Sequence, residues 1–255
     1  MAIVLGPEMR PARAITTIGL ALSKPFLFNN QRPTTVHLPE DIDRSIDRSS
    51  MDDGEPARDW SLLPLDAVAS IFIRLGAVEV LMGAGLVCRS WLEAAKLPDV
   101  WRAVDMENHE VVFRKNRLVL RAMAKAAVDR SDGQLRVFAG RFFVTDELLH
   151  YILERSPSLS TLRLVWCNVF RAPLVNVMRE SPLLELRSLE LEISRITVGV
   201  LSDVLENCPR LEVLWVRDCS GIKDHHEHAL RAQFPRIQTI TVERDVAFLW
   251  PACSD

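Results

Sequence analysis

No Cys-x-x-Cys pair, no glycine-rich phosphate loop, no Gly-x-Ser-x-Gly elbow and no His-Glu-x-x-His occurs in the 255 residues. The first absence, with an odd set of cysteines (Cys88, Cys167, Cys208, Cys219 and Cys253), argues against a disulfide framework and for reduced thiols in a reducing compartment. The second removes the backbone cradle that nucleotide phosphates need, the third the turn that exposes a serine nucleophile, and the fourth the paired ligands of a zinc protease. Asp224-His225-His226-Glu227-His228 is the one histidine cluster; its His-x-Glu is not accompanied by the Pro-Cys-x-x-Cys of a zinc deaminase, so a solvated helix start is expected there and no metal. Neither charge dominates: 31 basic and 34 acidic residues leave a net charge of −3, no electrostatic reason to expect a nucleic acid or an anionic membrane surface. No apolar run approaches the roughly 20 residues of a transmembrane helix, so a soluble chain without catalysis or cofactor is expected.

With 48% hydrophobic and 25% charged residues the composition is that of a globular protein, holding one large domain or two smaller ones. Residues 1–57 differ. They mix Pro, Thr, Asn and Arg without a sustained period, and Glu8 is the only acid before Glu40. A disordered tail fits this better than the alternative, an organelle transit peptide. Asp41 to Asp59, rich in Ser, Asp and Arg, reads as a solvated linker.

From Trp60 the texture changes. Pro64 and Asp66 suit a first helical turn, and Val68, Ile71, Phe72 and Leu75 recur at i, i+3, i+4, i+7 until Gly76 stops the helix. A second apolar piece, Val78 to Met82, ends at Gly83-Ala84-Gly85. In a third helix Leu86, Val87, Ser90, Trp91 and Ala94 share a face, with Cys88 packed inside it, and Pro98 closes it before Trp101. Three short helices in about 40 residues bury too little to stand alone, so they need a partner inside or outside the chain.

These residues carry a resemblance. Trp60-x-x-Leu63-Pro64-x-Asp66, Ile71-Phe72-x-x-Leu75, Val87-Cys88-Arg89-x-Trp91, Ala94-Ala95, Pro98 and Trp101 resemble the F-box motif along its whole length. The glycine-rich Gly83-Ala84-Gly85 departs from its common pattern. The resemblance implies a helical module docking on the Skp-family adaptor of a cullin-RING ubiquitin ligase, with Leu63, Pro64, Ile71, Leu75, Val87, Cys88 and Trp91 as adaptor-binding candidates.

Arg114 to Arg130 reads as one linker helix, its apolar stripe Leu120, Met123, Ala124, Ala127 and Val128, with Gly133 as a stop. Beyond it the chain repeats. Leu159-x-x-Leu162-x-Leu164 aligns with Leu186-x-x-Leu189-x-Leu191, Leu211-x-x-Leu214-x-Val216 and Ile237-x-x-Ile240-x-Val242 in steps of 27, 25 and 26 residues, and Leu135-x-Val137 looks like a worn copy another 27 earlier. A proline (Pro157, Pro182, Pro209, Pro235) precedes each full copy. Between them run amphipathic helices, the last of which replaces two stripe positions by Glu227 and Arg231, as a terminal repeat should. A strand and a helix every 26 residues or so, on a leucine ladder, is the signature of a leucine-rich-repeat solenoid. Cys208 to Asp224 resembles the cysteine-containing subclass of those repeats.

The expected architecture is therefore α/β: a tail and linker (1–57), a three-helix F-box (58–105), a linker and capping helix (106–133), leucine-rich repeats with parallel strands on the concave face and helices outside (134–244), and a C-terminal tail (245–255). Ladder residues should point inward and their neighbours outward, in rows Arg136, Arg163, Glu190, Trp215, Thr241 and Phe138, Val165, Glu192, Arg217, Glu243. Arg163, Glu190, Glu192, Trp215 and Arg217 are the candidates for holding a protein substrate. The resemblance implies a non-catalytic substrate receptor linked through its adaptor to a cullin, in cytosol or nucleus. Two rivals stand beside it: a scaffold whose F-box-like helices only cap the solenoid, and a small-ligand receptor, which so shallow an arc of repeats disfavours.

Overall fold

The computed structural model describes residues 59–180 and 182–244; the expected tail 1–57, the C-terminal tail and Cys253 lie outside them. From Ser61 onward the described chain is one compact unit. Its helices are α1 (Leu65–Leu75), α2 (Ala77–Met82), α3 (Arg89–Ala94), α4 (Glu110–Arg114), α5 (Arg117–Arg130), α6 (Asp146–Arg155), α7 (Ala172–Glu180), α8 (Val198–Glu206) and α9 (His226–Gln233). Its strands are β1 (Ala103–Met106), β2 (Val137–Gly140), β3 (Thr161–Val165), β4 (Ser188–Glu192), β5 (Val213–Arg217) and β6 (Thr239–Glu243). The strands form one sheet in chain order, every neighbouring pair parallel. Among the described residues no single helix is long and apolar enough to cross a membrane.

In the N-terminal module Pro64 caps α1, and the helix begins one residue later than the sequence pattern placed it. Gly76, at φ +87°, ends α1, a conformation that costs a residue without a Cβ least. Val68, Phe72, Ala77, Val78, Val80, Ala94 and Ala95 form the interior, and the Phe72 and Trp91 rings meet edge to face at 5.6 Å. The third helix is shorter than the pattern suggested. Cys88 is extended (φ −155°) and caps α3 from outside, while Leu86 belongs to a preceding 3-10 turn, so Leu86 and Val87 sit exposed rather than on the face of α3. Cys88 is thus not inside the helix.

Two further corrections concern the junction. Arg114 to Arg130 is not one helix: Lys115 and Asn116 are extended, and Asn116 Oδ1 accepts the Leu118 N–H at 2.8 Å, because asparagine favours the cap over the helix interior. The predicted stripe of α5 is nonetheless buried throughout. More consequentially, the residues straight after Trp101 form β1, a strand the leucine alignment did not contain, and it pairs with β2 as the first member of the solenoid sheet. Trp101 is fully buried beneath this junction; its indole N–H donates to the Ala95 carbonyl at 2.9 Å, and the Arg130 guanidinium lies 5.2 Å from its ring. Helices α2 and α5 pack on β1, so the module and the repeats share one core.

The ladder residues Leu159, Leu162, Leu164, Leu186, Leu189, Leu191, Leu211, Leu214, Val216, Ile237 and Ile240 are all buried. The worn first copy is real but three residues out of the expected register. Phe138 pairs with Leu162 and Ala139 with Arg163, so Leu135 and Phe138 are its ladder residues and Gly140 stands where Leu164 stands in the next strand. A Cβ on Gly140 would lie 2.9 Å from the Phe138 ring, which shows how one phenyl takes the space of two leucines. In consequence Arg136 and Phe138 are not in the concave rows; Phe138 is fully buried and Ala139 takes the place given to Arg136.

Strands β3, β4 and β5 are each followed at once by a residue in the left-handed region. Trp166, Ile193 and Asp218 have φ of +54°, +52° and +50°, and each N–H donates to the end of the next strand, at Glu192, Arg217 and Glu243. Repetition at one position marks the conformation as imposed by the solenoid rather than by the side chains.

Because Trp101 joins the two halves of one core, Trp101→Ala is expected to destabilise the whole unit by about 3 to 5 kcal/mol. Urea denaturation followed by far-UV circular dichroism should show a single transition moved to lower urea; two separate transitions would show that module and repeats fold independently.

Candidate functional site

Two surfaces come out of this fold. The first lies on the N-terminal module. Of the thirteen large apolar side chains that are exposed among the described residues, eight fall between Trp60 and Val87: Trp60, Leu62, Leu65, Ile73, Leu75, Met82, Leu86 and Val87. Single exposed leucines need no explanation, but so dense a set in a short stretch does. The sequence candidates divide. Pro64, Leu75 and Val87 are exposed, whereas Leu63, Ile71, Cys88 and Trp91 are half-buried, with Leu63, Ile71 and Trp91 packed against the core. Leu62, Leu65 and Leu86 were not among the adaptor candidates: Leu62 lies in a 3-10 turn that no helical period covers, and Leu86, which the pattern placed on the face of the third helix, lies in another.

The second surface is the concave sheet, where parallel register stacks Arg163, Glu190, Trp215 and Thr241 side by side, with Glu192, Arg217 and Glu243 in the next row. All five substrate candidates therefore meet. Arg163 is the hub. Its Nε and one terminal nitrogen donate to the two carboxylate oxygens of Glu107 at 2.5 and 3.2 Å, its other terminal nitrogen to Glu190 at 2.7 Å, and the first also to Glu192 at 3.2 Å. The guanidinium lies 5.4 Å from the centre of the Trp215 ring. Arg217 lies 3.9 Å from Glu192 and 3.5 Å from Asp218. Burial opposes the charge on Arg163, but its hydrogen bonds to Glu107 and Glu190 and their negative charge outweigh it and hold its proton more firmly than usual. Glu107, 6% exposed and one residue beyond β1, was invisible to sequence reasoning because β1 was. Trp215 is half-buried, with Arg163 over its ring. Trp166, 50% exposed at the strand-end turn, is the more open aromatic.

Cys167, Cys208 and Cys219 are packing residues. Burial pushes Cys167 and Cys208 up to about 12 and Cys219 up to about 11, so none supplies a thiolate at neutral pH. In the last described repeat Glu227 accepts the Val242 N–H at 3.1 Å and pairs with Arg231, which donates to the Ile240 carbonyl. The charges that replace its apolar stripe thus tie down the last strand. His226 Nδ1 accepts the Lys223 N–H at 3.0 Å, closing the turn into α9.

Fold and surfaces define a class: a leucine-rich-repeat solenoid whose first end is closed by a helical module with an exposed apolar surface. An F-box-like family model matches residues 60–107, ending at the carboxylate that clamps Arg163. Putative F-box/LRR-repeat protein 9 of Arabidopsis thaliana is 35% identical over 178 residues, 68% of this chain and 70% of that protein. Putative F-box/LRR-repeat protein 23 of the same plant is 34% identical over 160 residues, 62% of this chain but 34% of that protein, so this chain spans only about a third of its length. A solved structure described as the Rad7 and Elc1 complex of yeast is a loose likeness, with TM-score 0.43 and 15% identity over 70% of this chain and 46% of that one. The chain belongs to the F-box/LRR-repeat family.

Removing Arg163 leaves three carboxylates facing one another in a site where its own side chain keeps 21% of its surface. Arg163→Ala should therefore cost about 2 to 3 kcal/mol, below the figure for a fully buried pair, read as a lower urea midpoint with unchanged slope. The raised thiols predict a labelling pattern: iodoacetamide at pH 7.5, with peptide mapping by mass spectrometry, should modify half-buried Cys88 at least tenfold faster than Cys167, Cys208 and Cys219. Since a raised pKa means that the folded state prefers the neutral thiol, stability from these three groups is complete below about pH 9 and declines as pH rises toward 11 and 12.

Proposed function

We propose that this chain is the non-catalytic substrate-receptor subunit of an SCF-type cullin-RING ubiquitin ligase. The N-terminal helices dock on a Skp-family adaptor, and through it on a cullin, while the concave sheet holds a target protein in the cytosol or nucleus. The observation that carries this reading is the concentration of exposed apolar side chains between Trp60 and Val87, inside the stretch that matches the F-box-like model. Leu62, Leu65, Leu75, Leu86 and Val87, with Pro64, supply the apolar anchors from which an interface of this kind draws most of its energy.

The mechanism is geometric. A receptor raises the effective concentration of its target at a separate ubiquitin-transferring enzyme, and this works only if the target is held at a fixed place relative to the adaptor. A strand shared by module and repeats, a core continuous around Trp101, and Glu107 reaching from the end of the module to Arg163 favour such rigidity. On the sheet, Trp215, Arg163, Arg217, Glu190 and Glu192 form the platform for the target, with Trp166 at its edge.

A second reading draws on the same junction: the F-box-like helices close the end of the solenoid, and that role alone would account for the burial of Val68, Phe72 and Trp101. Calorimetric titration of the purified chain with a Skp-family adaptor separates the two. Submicromolar binding is expected. Leu63→Ala with Pro64→Ala, and separately Leu86→Ala with Val87→Ala, should each weaken it at least thirtyfold, since anchors cost about 2 kcal/mol or more on truncation. Trp215→Ala should leave it within twofold. A folded wild-type chain that does not bind the adaptor would sink the receptor reading and leave the scaffold.

A further inference from the structure

Beyond the N-terminal module, large apolar side chains are exposed at five positions among the described residues, and three of them, Phe113, Leu118 and Val119, lie close together in the chain. The break between α4 and α5 accounts for this. With Lys115 and Asn116 extended, every residue from 113 to 119 is exposed. The charge here has one sign. Between Glu110 and Asp129 the chain has no acid and five bases, Arg114, Lys115, Arg117, Arg121 and Lys125, and Glu110 itself pairs with Arg114.

Two guanidinium groups are already set in place on this surface. The Phe113 and Phe142 rings lie 6.5 Å apart, Arg117 lies 5.3 Å from the centre of the Phe142 ring, and Arg141, one residue beyond β2, lies 5.2 Å from that of Phe113. The order is guanidinium, ring, ring, guanidinium. Phe142 anchors the stack to the core, meeting the fully buried Phe143 edge to face at 6.4 Å. Among the described residues neither Arg117 nor Arg141 donates a hydrogen bond or meets a carboxylate. Arg141 Nε is sealed from solvent, but its two terminal nitrogens are not, and Arg117 is exposed.

We propose that this stack is a docking surface for an acidic segment of another protein, one in which carboxylates alternate with bulky apolar side chains. The carboxylates take the open terminal nitrogens of Arg117 and Arg141, and an apolar side chain lies against Phe113, Leu118 and Val119. A guanidinium laid on a ring has lost much of its freedom before the partner arrives, so a bidentate bond to a carboxylate costs less ordering than at a loose side chain. The exposed apolar trio supplies the anchor that such an interface needs. Charge decides the kind of partner. A basic segment would meet five bases in a stretch without an acid. A bilayer or a nucleic acid extends far beyond the patch and meets a chain whose total charge is −3. A short acidic segment meets the patch alone, since salt screens charges beyond about 8 Å. The surface is neither the apolar face of the N-terminal module nor the concave rows, so it stands or falls independently of the receptor reading.

The test is calorimetric titration of the full chain with the peptide Ac-EEDLFDELFDEE-NH2, with methyl NMR to locate it. Expected at about 0.05 M salt is a Kd of about 10 to 100 µM, weakened about tenfold at about 0.5 M salt, with shifts centred on the Leu118 and Val119 methyls. A peptide with serine for every leucine and phenylalanine, and one with lysine for every acid, should each bind about tenfold or more weakly. Arg117→Glu and Phe113→Ser should each lower the affinity about tenfold, whereas Lys223→Glu, the same charge change at an exposed site in the last described repeat, should leave it within about twofold. If Phe113→Ser melts early, Leu118→Ser replaces it. No binding at about 1 mM peptide, equal affinity for the serine peptide, an equal loss in Lys223→Glu, or shifts confined to the Leu86 and Val87 methyls would each overturn the proposal. So would phosphatidylserine-containing vesicles that bind the chain more tightly than the peptide does and lose it in Arg117→Glu, because the patch would then be a membrane surface.

Discussion

A stack of strand and helix repeats has two open ends, and each would expose apolar interior and an unpaired strand edge to water unless something covers it. The rest of this structure depends on how those ends are closed. At the N-terminal end the F-box helices do it by contributing material to the stack. Trp101 is buried in the common core, β1 extends the sheet by one strand, and α2 and α5 lie against it. The small module, which buries too little to stand alone, gains a core in the same contact. In the last described repeat the contacts are polar: Glu227 and Arg231 of α9 take backbone groups of β6, and the Arg236 guanidinium donates to the carbonyls of Leu205 and Cys208 one repeat back.

The same closure sets the chemistry of the concave face. Glu107 is held at its post by β1, and without that strand Arg163 would face two carboxylates instead of three. The network is no free source of stability, since desolvation offsets much of what ion pairs return. What it provides is position: Arg163 donates to three acids from two chain segments, the end of β1 and strand β4, and Trp215 is fixed under Arg163. A network built this way holds one fixed face on the sheet, the property that the proposed receptor role requires.

Much was legible because the solenoid writes its period into the chain. The ladder from Leu159 to Ile240, the prolines ahead of it and the α5 stripe follow from spacing, and parallel stacking of equal steps places Arg163, Glu190 and Trp215 in one row without further information. Legibility failed where a local substitution hid the period. Phe138 with Gly140 occupies the room of two leucines, so a search for leucine found Val137 instead and slipped by three residues. Strand β1 has only Val104 and Met106 to show, and no sequence of four residues declares itself a strand.

The repeat from Leu159 to Ile240 and its inward-facing ladder were determined by sequence alone, because a strand's alternation and a helix's turn are properties of the local backbone. Which residues are neighbours across those elements was decided only in three dimensions. That Glu107 meets Arg163, and that Leu86 is left bare while Phe72 is covered, both depend on side chains brought together from distant segments. No period along the chain encodes such a meeting, since it is fixed by how the segments pack and not by the spacing within any one of them.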